Sequence, residues 1–182
     1  MARPIPPKFY ADDAAFPERI ELQPIGVVRS PHKERHGTPR QAVLPADPAL
    51  RPDERTVLEL FPHVLGEAAV RDLDGFEMIW VLAWMHLNHG WGDTVVPPGE
   101  DPRRPKGLLA TRAPHRPNPI ALSAVKLLEV EGLRLHVERS DLLDGTPILD
   151  IKPYVPYADA FPESGSGWLG DEGSPPSAAG SG

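Results

Sequence analysis

Between Ala110 and Ser123 the chain reads ATRAPHRPNPIALS, with Arg112, His115, Arg116 and Asn118 interleaved among Pro114, Pro117 and Pro119. Guanidinium forks bind carboxylates and phosphates through paired hydrogen bonds. An imidazole can take or give a proton near neutrality, and an amide both donates and accepts. Proline fixes φ, removes a backbone donor and pushes the preceding residue into extended geometry. The segment is therefore a stiff loop and not a helix or a central strand. A stiff loop presents its donors in set directions, which suits an anionic or nucleotide-like ligand.

Three further clusters carry residues of chemical interest. Ser30 to Gln41 (SPHKERHGTPRQ) is a loop broken by Pro31, Gly37 and Pro39, and Arg40 and Gln41 offer a donor fork and an amide suited to a carboxylate or an adenine edge. Taken by itself, the cluster is read more simply as a plain surface loop with a solvated arginine. His86 to Gly92 (HLNHGWG) holds His86-x-x-His89, a spacing that chelates metal on a helix, but Gly90 and Gly92 disfavour a continuing helix and no third ligand is near. No metal is expected, and His86 reads as a strand-end histidine at a binding mouth or a structural one. Trp91, between the two glycines, is the one tryptophan left open as a stacking residue. Ser140 to Tyr154 (SDLLDGTPILDIKPY) contains the turn Asp144-Gly145-Thr146-Pro147, in which Asp144 caps its own turn on the simplest reading. Asp150 and Lys152 share one strand face by the two-residue period, as a surface ion pair or as part of a site. The sequence has no P-loop, no dinucleotide fingerprint, no G-x-S-x-G and no H-E-x-x-H.

The elements that must position these residues are mostly strands. With 24 prolines and 16 glycines in 182 residues, a helical protein is disfavoured. Strands are expected at Ile20 to Val28, Ile120 to Val130, Leu133 to Glu138 and Ile148 to Tyr154, with Glu131-Gly132 as a hairpin turn. Thr56 to Leu60 is strand or turn, Gly107 to Thr111 is a short apolar piece, and Val64 to Arg71 is a helical turn or an edge strand. The run FEMIWVLAWMH, Phe76 to His86, predicts a strand buried on both faces. Together these predict a mainly β fold, a small single-domain mixed or antiparallel barrel with few short helices. A flexible arm is expected over residues 1–19, the barrel over 20–163, and a disordered acidic tail over 164–182 in which Trp168 and Leu169 can dock locally.

The chain has no cysteine, so disulfides and thiol nucleophiles are excluded. The N-terminus lacks a secretory apolar region, and the longest apolar run, Met78 to Met85, is too short to span a bilayer. A cytoplasmic protein is expected. The formal net charge is −7, yet Arg103, Arg104, Lys106, Arg112 and Arg116 fall between Pro102 and Asn118 with no acid among them. That asymmetry allows a local phosphate-binding patch on an acidic body.

Four strings in fixed order, IGVVRSPHKERHGTPRQ, DGFEMIWVLAWMH, GLLATRAPHRPNPIALS and DLLDGTPILDIKPYVPYAD, resemble the TrmO-type tRNA methyltransferases, also called the TsaA or YaeB family. The resemblance covers Ile25 to Pro162. It implies a small β-barrel S-adenosylmethionine-dependent methyltransferase, in the short form without the further C-terminal domain of many bacterial members. It also implies a homodimer with cofactor near the subunit interface, and N6-methylation of threonylcarbamoyl-adenosine beside the tRNA anticodon. Position by position, it assigns cofactor contacts to Pro39, Arg40 and Gln41, to His86 and Leu87, to Arg112, to Leu122, and to Asp141, Leu142, Leu143 and Asp144. Because the acceptor nitrogen must lose a proton, Asp150, His115 and Asp144 are the candidate bases. Arg116, Asn118, Lys152, Tyr154, Arg103, Arg104 and Lys106 are candidates for holding substrate. One position departs from the family pattern, with Ala121 where RPNPI is usually followed by glycine. Two other readings stay open: a methyltransferase of this fold acting on a small molecule or another RNA, and a non-catalytic S-adenosylmethionine-binding module.

Overall fold

The computed structural model describes residues 17–34, 55–138 and 140–173. Six strands close a barrel in the order β1-β2-β7-β6-β3-β8, with every neighbouring pair antiparallel. They are β1 Gly26–Arg29, β2 Thr56–Leu60, β3 Met78–Trp84, β6 Ile120–Glu131, β7 Arg134–Val137 and β8 Pro147–Pro153. A two-stranded ribbon, β4 Thr94–Val95 with β5 Lys106–Gly107, stands outside it. The expected β fold with few short helices is the observed one.

Alternation builds the core. Val28, Leu58, Ile79, Val81, Leu135 and Ile148 point inward and are fully buried. Closure leaves no free edge on the barrel. Gly26 lets β1 approach β2, because a Cβ there would lie 2.6 Å from the Glu59 carbonyl oxygen. The β6–β7 hairpin turns at Gly132 with φ 55°, as the Glu131-Gly132 pair predicts.

Two expectations are corrected and one alternative is decided. β1 starts only at Gly26, after Pro24, which cannot donate to a ladder. Of the two alternatives for residues 64–71, the helical turn is the observed one: Glu67–Val70 form a single 3₁₀ turn that buries Val70 in the core. Strand β3 is not buried on both faces. Ile79, Val81 and Ala83 face the core, while Trp80, Leu82 and Trp84 are half-buried on the outer wall. The continuous apolar run reflects a second apolar surface outside the barrel. Trp80 packs against Tyr154 there, 5.4 Å between ring centroids.

Antiparallel closure decides where the chemistry lies. The C-terminal ends of β1 and β3 and the N-terminal ends of β6 and β8 share one rim of the barrel. The segments around His86, Arg112 and Asp141 all adjoin that rim. The Met85 amide donates to the Pro119 carbonyl at 2.8 Å, and the Asp144 amide to the His32 carbonyl at 2.8 Å.

Candidate active site

The proline-rich loop is braced from within. A 3₁₀ turn, Leu108–Ala110, is followed by Thr111, whose hydroxyl donates to the Leu108 carbonyl at 2.9 Å and accepts from the Ala113 amide at 3.3 Å. Arg116 folds back under this turn. Its Nη1 donates to the Thr111 carbonyl at 3.0 Å and reaches the Leu108 and Ala113 carbonyls at 3.4 Å. Arg116 therefore shapes the loop before it can hold any ligand. Arg112 is left exposed. His115 Nδ1 lies 3.2 Å from the His89 carbonyl oxygen. A carbonyl only accepts, so in the neutral imidazole this bond selects the tautomer with the proton on Nδ1 and the lone pair on Nε2.

Beside the loop, a small cleft of about 50 Å³ is lined by Met85, His86, Leu87, Asn88, Asp141, Leu142, Leu143 and Thr146. Five sequence-derived candidates thus share one cavity: His86, Leu87, Asp141, Leu142 and Leu143. The His86 Nδ1 atom is buried with no hydrogen-bond partner among the described residues. Orphaned buried polar atoms are uncommon and signal an absent partner. Across the cavity, Asp141 Oδ1 accepts from the buried Ser123 hydroxyl at 2.6 Å. Burial pushes the Asp141 carboxyl above its ordinary range, opposed by Ser123 and by the charge of Arg112. The cleft is thus largely apolar, with one desolvated carboxylate, one unpaired imidazole nitrogen and a guanidinium nearby.

Asp144 does not cap its own turn. Its carboxylate accepts from the Ser30 amide at 3.0 Å and from Lys33 Nζ at 2.6 Å, joining the end of β1 to the entry of β8. The Lys33 hydrogen bond leads in holding its carboxyl below the usual range. The folded pKa lies below the unfolded one, so this contribution is present above the ordinary carboxylate range and lost as pH falls through the folded value. We expect Asp144→Asn to lower the thermal midpoint at neutral pH, with the difference vanishing in acid; midpoints measured across pH check this.

The remaining candidates lie elsewhere. Leu122 is exposed on the outer wall, opposite Leu82, which in turn faces Asp150. Lys152 lies opposite Trp80 and pairs with Asp150 at 2.7 Å, and Tyr154 follows it, away from the rim. The Arg103 guanidinium donates to both carboxylate oxygens of Asp101, and Lys106 reaches Glu100 at 3.3 Å. Arg104 and Asn118 are exposed. Pro39, Arg40 and Gln41 lie outside the described residues. Ser123 was not among the expected site residues, since in sequence it is a small residue within an apolar strand. Ala121 pairs with Ala83 inside β6 and needs no positive φ, so alanine is tolerated where glycine is usual.

The profile of the tRNA-methyltransferase O N-terminal domain matches residues 27–160, most of the chain. The chain belongs to the TrmO family. It is 38% identical over 155 residues to the tRNA (adenine(37)-N6)-methyltransferase of Escherichia coli K12, covering 82% of this chain and 63% of that protein. It is 42% identical over 142 residues to a probable S-adenosyl-L-methionine-binding protein of Methanothermobacter thermautotrophicus, covering 78% of this chain and 95% of that protein. The crystal structure of TrmO from Pseudomonas aeruginosa superposes with a TM-score of 0.64 at 39% identity, covering 82% of this chain and 62% of that one. The chain thus spans under two thirds of its bacterial TrmO relatives and most of an archaeal one.

Proposed function

We propose that this TrmO-family chain is an S-adenosylmethionine-dependent methyltransferase that N6-methylates an adenine of tRNA, the threonylcarbamoylated one beside the anticodon. The observation that carries the reading is the rim cleft, where His86, Leu87 and Asp141–Leu143 meet beside Arg112. The residues fit such a cofactor. Apolar walls from Leu142 and Leu143 suit an adenosyl group, and Asp141 suits a ribose or an ammonium. The orphaned His86 Nδ1 has room for a partner, and Arg112 is free to pair with a carboxylate. When bound, the cofactor supplies a methyl group on a cationic sulfur that departs as a neutral thioether.

The chain's own work is alignment and one proton. Ser123 fixes Asp141 in one orientation, and the braced loop sets the backbone at Arg112 in advance, which lowers the ordering cost on binding. The acceptor nitrogen gains a methyl group and must lose its hydrogen. Of the three candidate bases, Asp144 is held by Ser30 and Lys33, and Asp150 by Lys152 and the Ile151 amide at 2.9 Å. Among the described residues, His115 alone of the three presents an acceptor with no partner, Nε2, once Nδ1 donates to His89. We assign it the proton.

The working unit in this reading is a homodimer in the cytoplasm. Ile120, Leu122, Leu82 and Trp84 form an apolar outer wall at the rim, and covering it with a second copy would bring Leu122 to a site. No helix among the described residues is long and apolar enough to cross a membrane. Leu122→Glu should yield a monomer by sedimentation.

Calorimetry with S-adenosylmethionine tests the cofactor. Arg112→Ala is expected to cost about 1.5–3 kcal/mol of that binding, the range for a hydrogen bond to a charged group. Unchanged affinity would remove Arg112 from the site. Methyl incorporation into unmodified and threonylcarbamoylated tRNA tests the acceptor. A second reading, a small-molecule acceptor, draws support from the basic residues: Arg103 and Lys106 are paired with acids and Arg116 is turned inward. Incorporation into neither tRNA would favour it.

A further inference from the structure

The Arg112 loop is held on three sides by its own neighbourhood: Arg116 from beneath, His89 through His115, and Asp93, whose carbonyl accepts from the Leu108 amide at 2.8 Å. A fourth brace comes from far along the chain. Trp168 Nε1 donates to the Ala110 carbonyl at 2.7 Å, a contact spanning 58 positions. The Lys106 ammonium lies 5.0 Å above the centroid of the same ring, while its charge also faces Glu100 at 3.3 Å. One indole therefore touches both β5 and the 3₁₀ turn, two residues before Arg112. Tryptophan suits this place because its flat body packs while its edge donates one directed hydrogen bond. Leu108 anchors the turn in the interior, but Leu109 and Ala110 are exposed, so the turn's outer side has only this clamp among the contacts described.

We propose that Trp168 is a positioning residue for cofactor binding: it clamps the 3₁₀ turn so that Arg112 is presented in one direction. The segment following the barrel is then part of the binding machinery. The inference rests on the assignment of Arg112 to the cofactor carboxylate. Loosening the clamp leaves the barrel intact but multiplies the directions Arg112 samples, and that ordering must then be met on binding. Affinity for the cofactor falls as a result.

The test uses the full chain in four forms: wild type, Trp168→Phe, Arg112→Ala and the double variant. Phenylalanine keeps an aromatic ring for Lys106, though a smaller one, and lacks the N–H donor. S-adenosylmethionine titrated by calorimetry should bind Trp168→Phe about fivefold more weakly, the usual effect of losing one neutral hydrogen bond. In the Arg112→Ala background the second change should add nothing, since the clamp acts through Arg112. Hydrogen exchange of the cofactor-free protein should show faster exchange at the Thr111 and Ala113 amides in Trp168→Phe, with core strands unaffected. Wild-type affinity in Trp168→Phe, or a full additional loss in the double variant, would overturn the proposal. Unaltered exchange at Thr111 and Ala113 would also overturn it, whatever the affinities. Should Arg112→Ala itself bind normally, the assignment of Arg112 fails, and the exchange rates still decide whether the clamp exists.

Discussion

Replacing His115 with asparagine is expected to lower the methylation rate about 10²–10⁴-fold, the usual contribution of a positioned proton acceptor, while S-adenosylmethionine binds with wild-type affinity. Asparagine is the informative choice. Its amide can still donate to the His89 carbonyl, so the loop keeps its link to the cleft segment. What it lacks is a basic nitrogen at the position of Nε2. The tautomer argument makes the prediction sharp, because the bond to His89 turns the imidazole into a donor on one side and an acceptor on the other. Neither carboxylate among the candidates has that asymmetry: Asp144 and Asp150 each accept on both oxygens. Rate measurements at saturating cofactor, paired with calorimetry, check the outcome. A variant that methylates normally would return the proton to another group or to water. One that loses cofactor affinity in parallel with rate would make His115 a brace and nothing more.

The strands were legible because their inward residues alternate; Leu133, Leu135 and Val137 announce β7 without reference to anything distant. The loop around Arg112 was legible because proline dictates backbone shape locally. What could not be read is which donors are already engaged. A sequence counts the five donors of Arg116 but not the carbonyls of Leu108, Thr111 and Ala113 that receive them. The basic stretch misleads for a nearer reason. Counted from Pro102 it holds no acid, yet Glu100 and Asp101 stand immediately upstream and pair with Lys106 and Arg103. The meeting of the clusters at one rim is different in kind. It follows from β3 lying between β6 and β8, a long-range pairing that no local pattern reports. Ser123 shows the same limit: its partner Asp141 is 18 positions away, and in sequence Ser123 is only a small residue in an apolar strand.

Leu142 sits where stability and binding meet, and its truncation should show both. The side chain is 3% exposed, belongs to the core cluster and also lines the cleft. Leu142→Ala removes three carbons from a packed site, which costs about 2–5 kcal/mol depending on how far the surroundings collapse. That is a large part of the roughly 5–15 kcal/mol that holds a domain together. A urea midpoint shifted down with unchanged slope would register the loss. Leu135→Ala is the matched control. Leu135 is fully buried between Leu58 of β2 and Val130 of β6, away from the cleft lining. It should cost a similar amount of stability and leave S-adenosylmethionine affinity in the folded protein alone, whereas Leu142→Ala should weaken both. The contrast follows from geometry: the segment 140–146 leaves the wall of the barrel to cross its rim, so the residue that seals the core there is also the floor of the cavity. If Leu142→Ala binds cofactor as the wild type does while unfolding as early as Leu135→Ala, the cofactor does not rest on that floor.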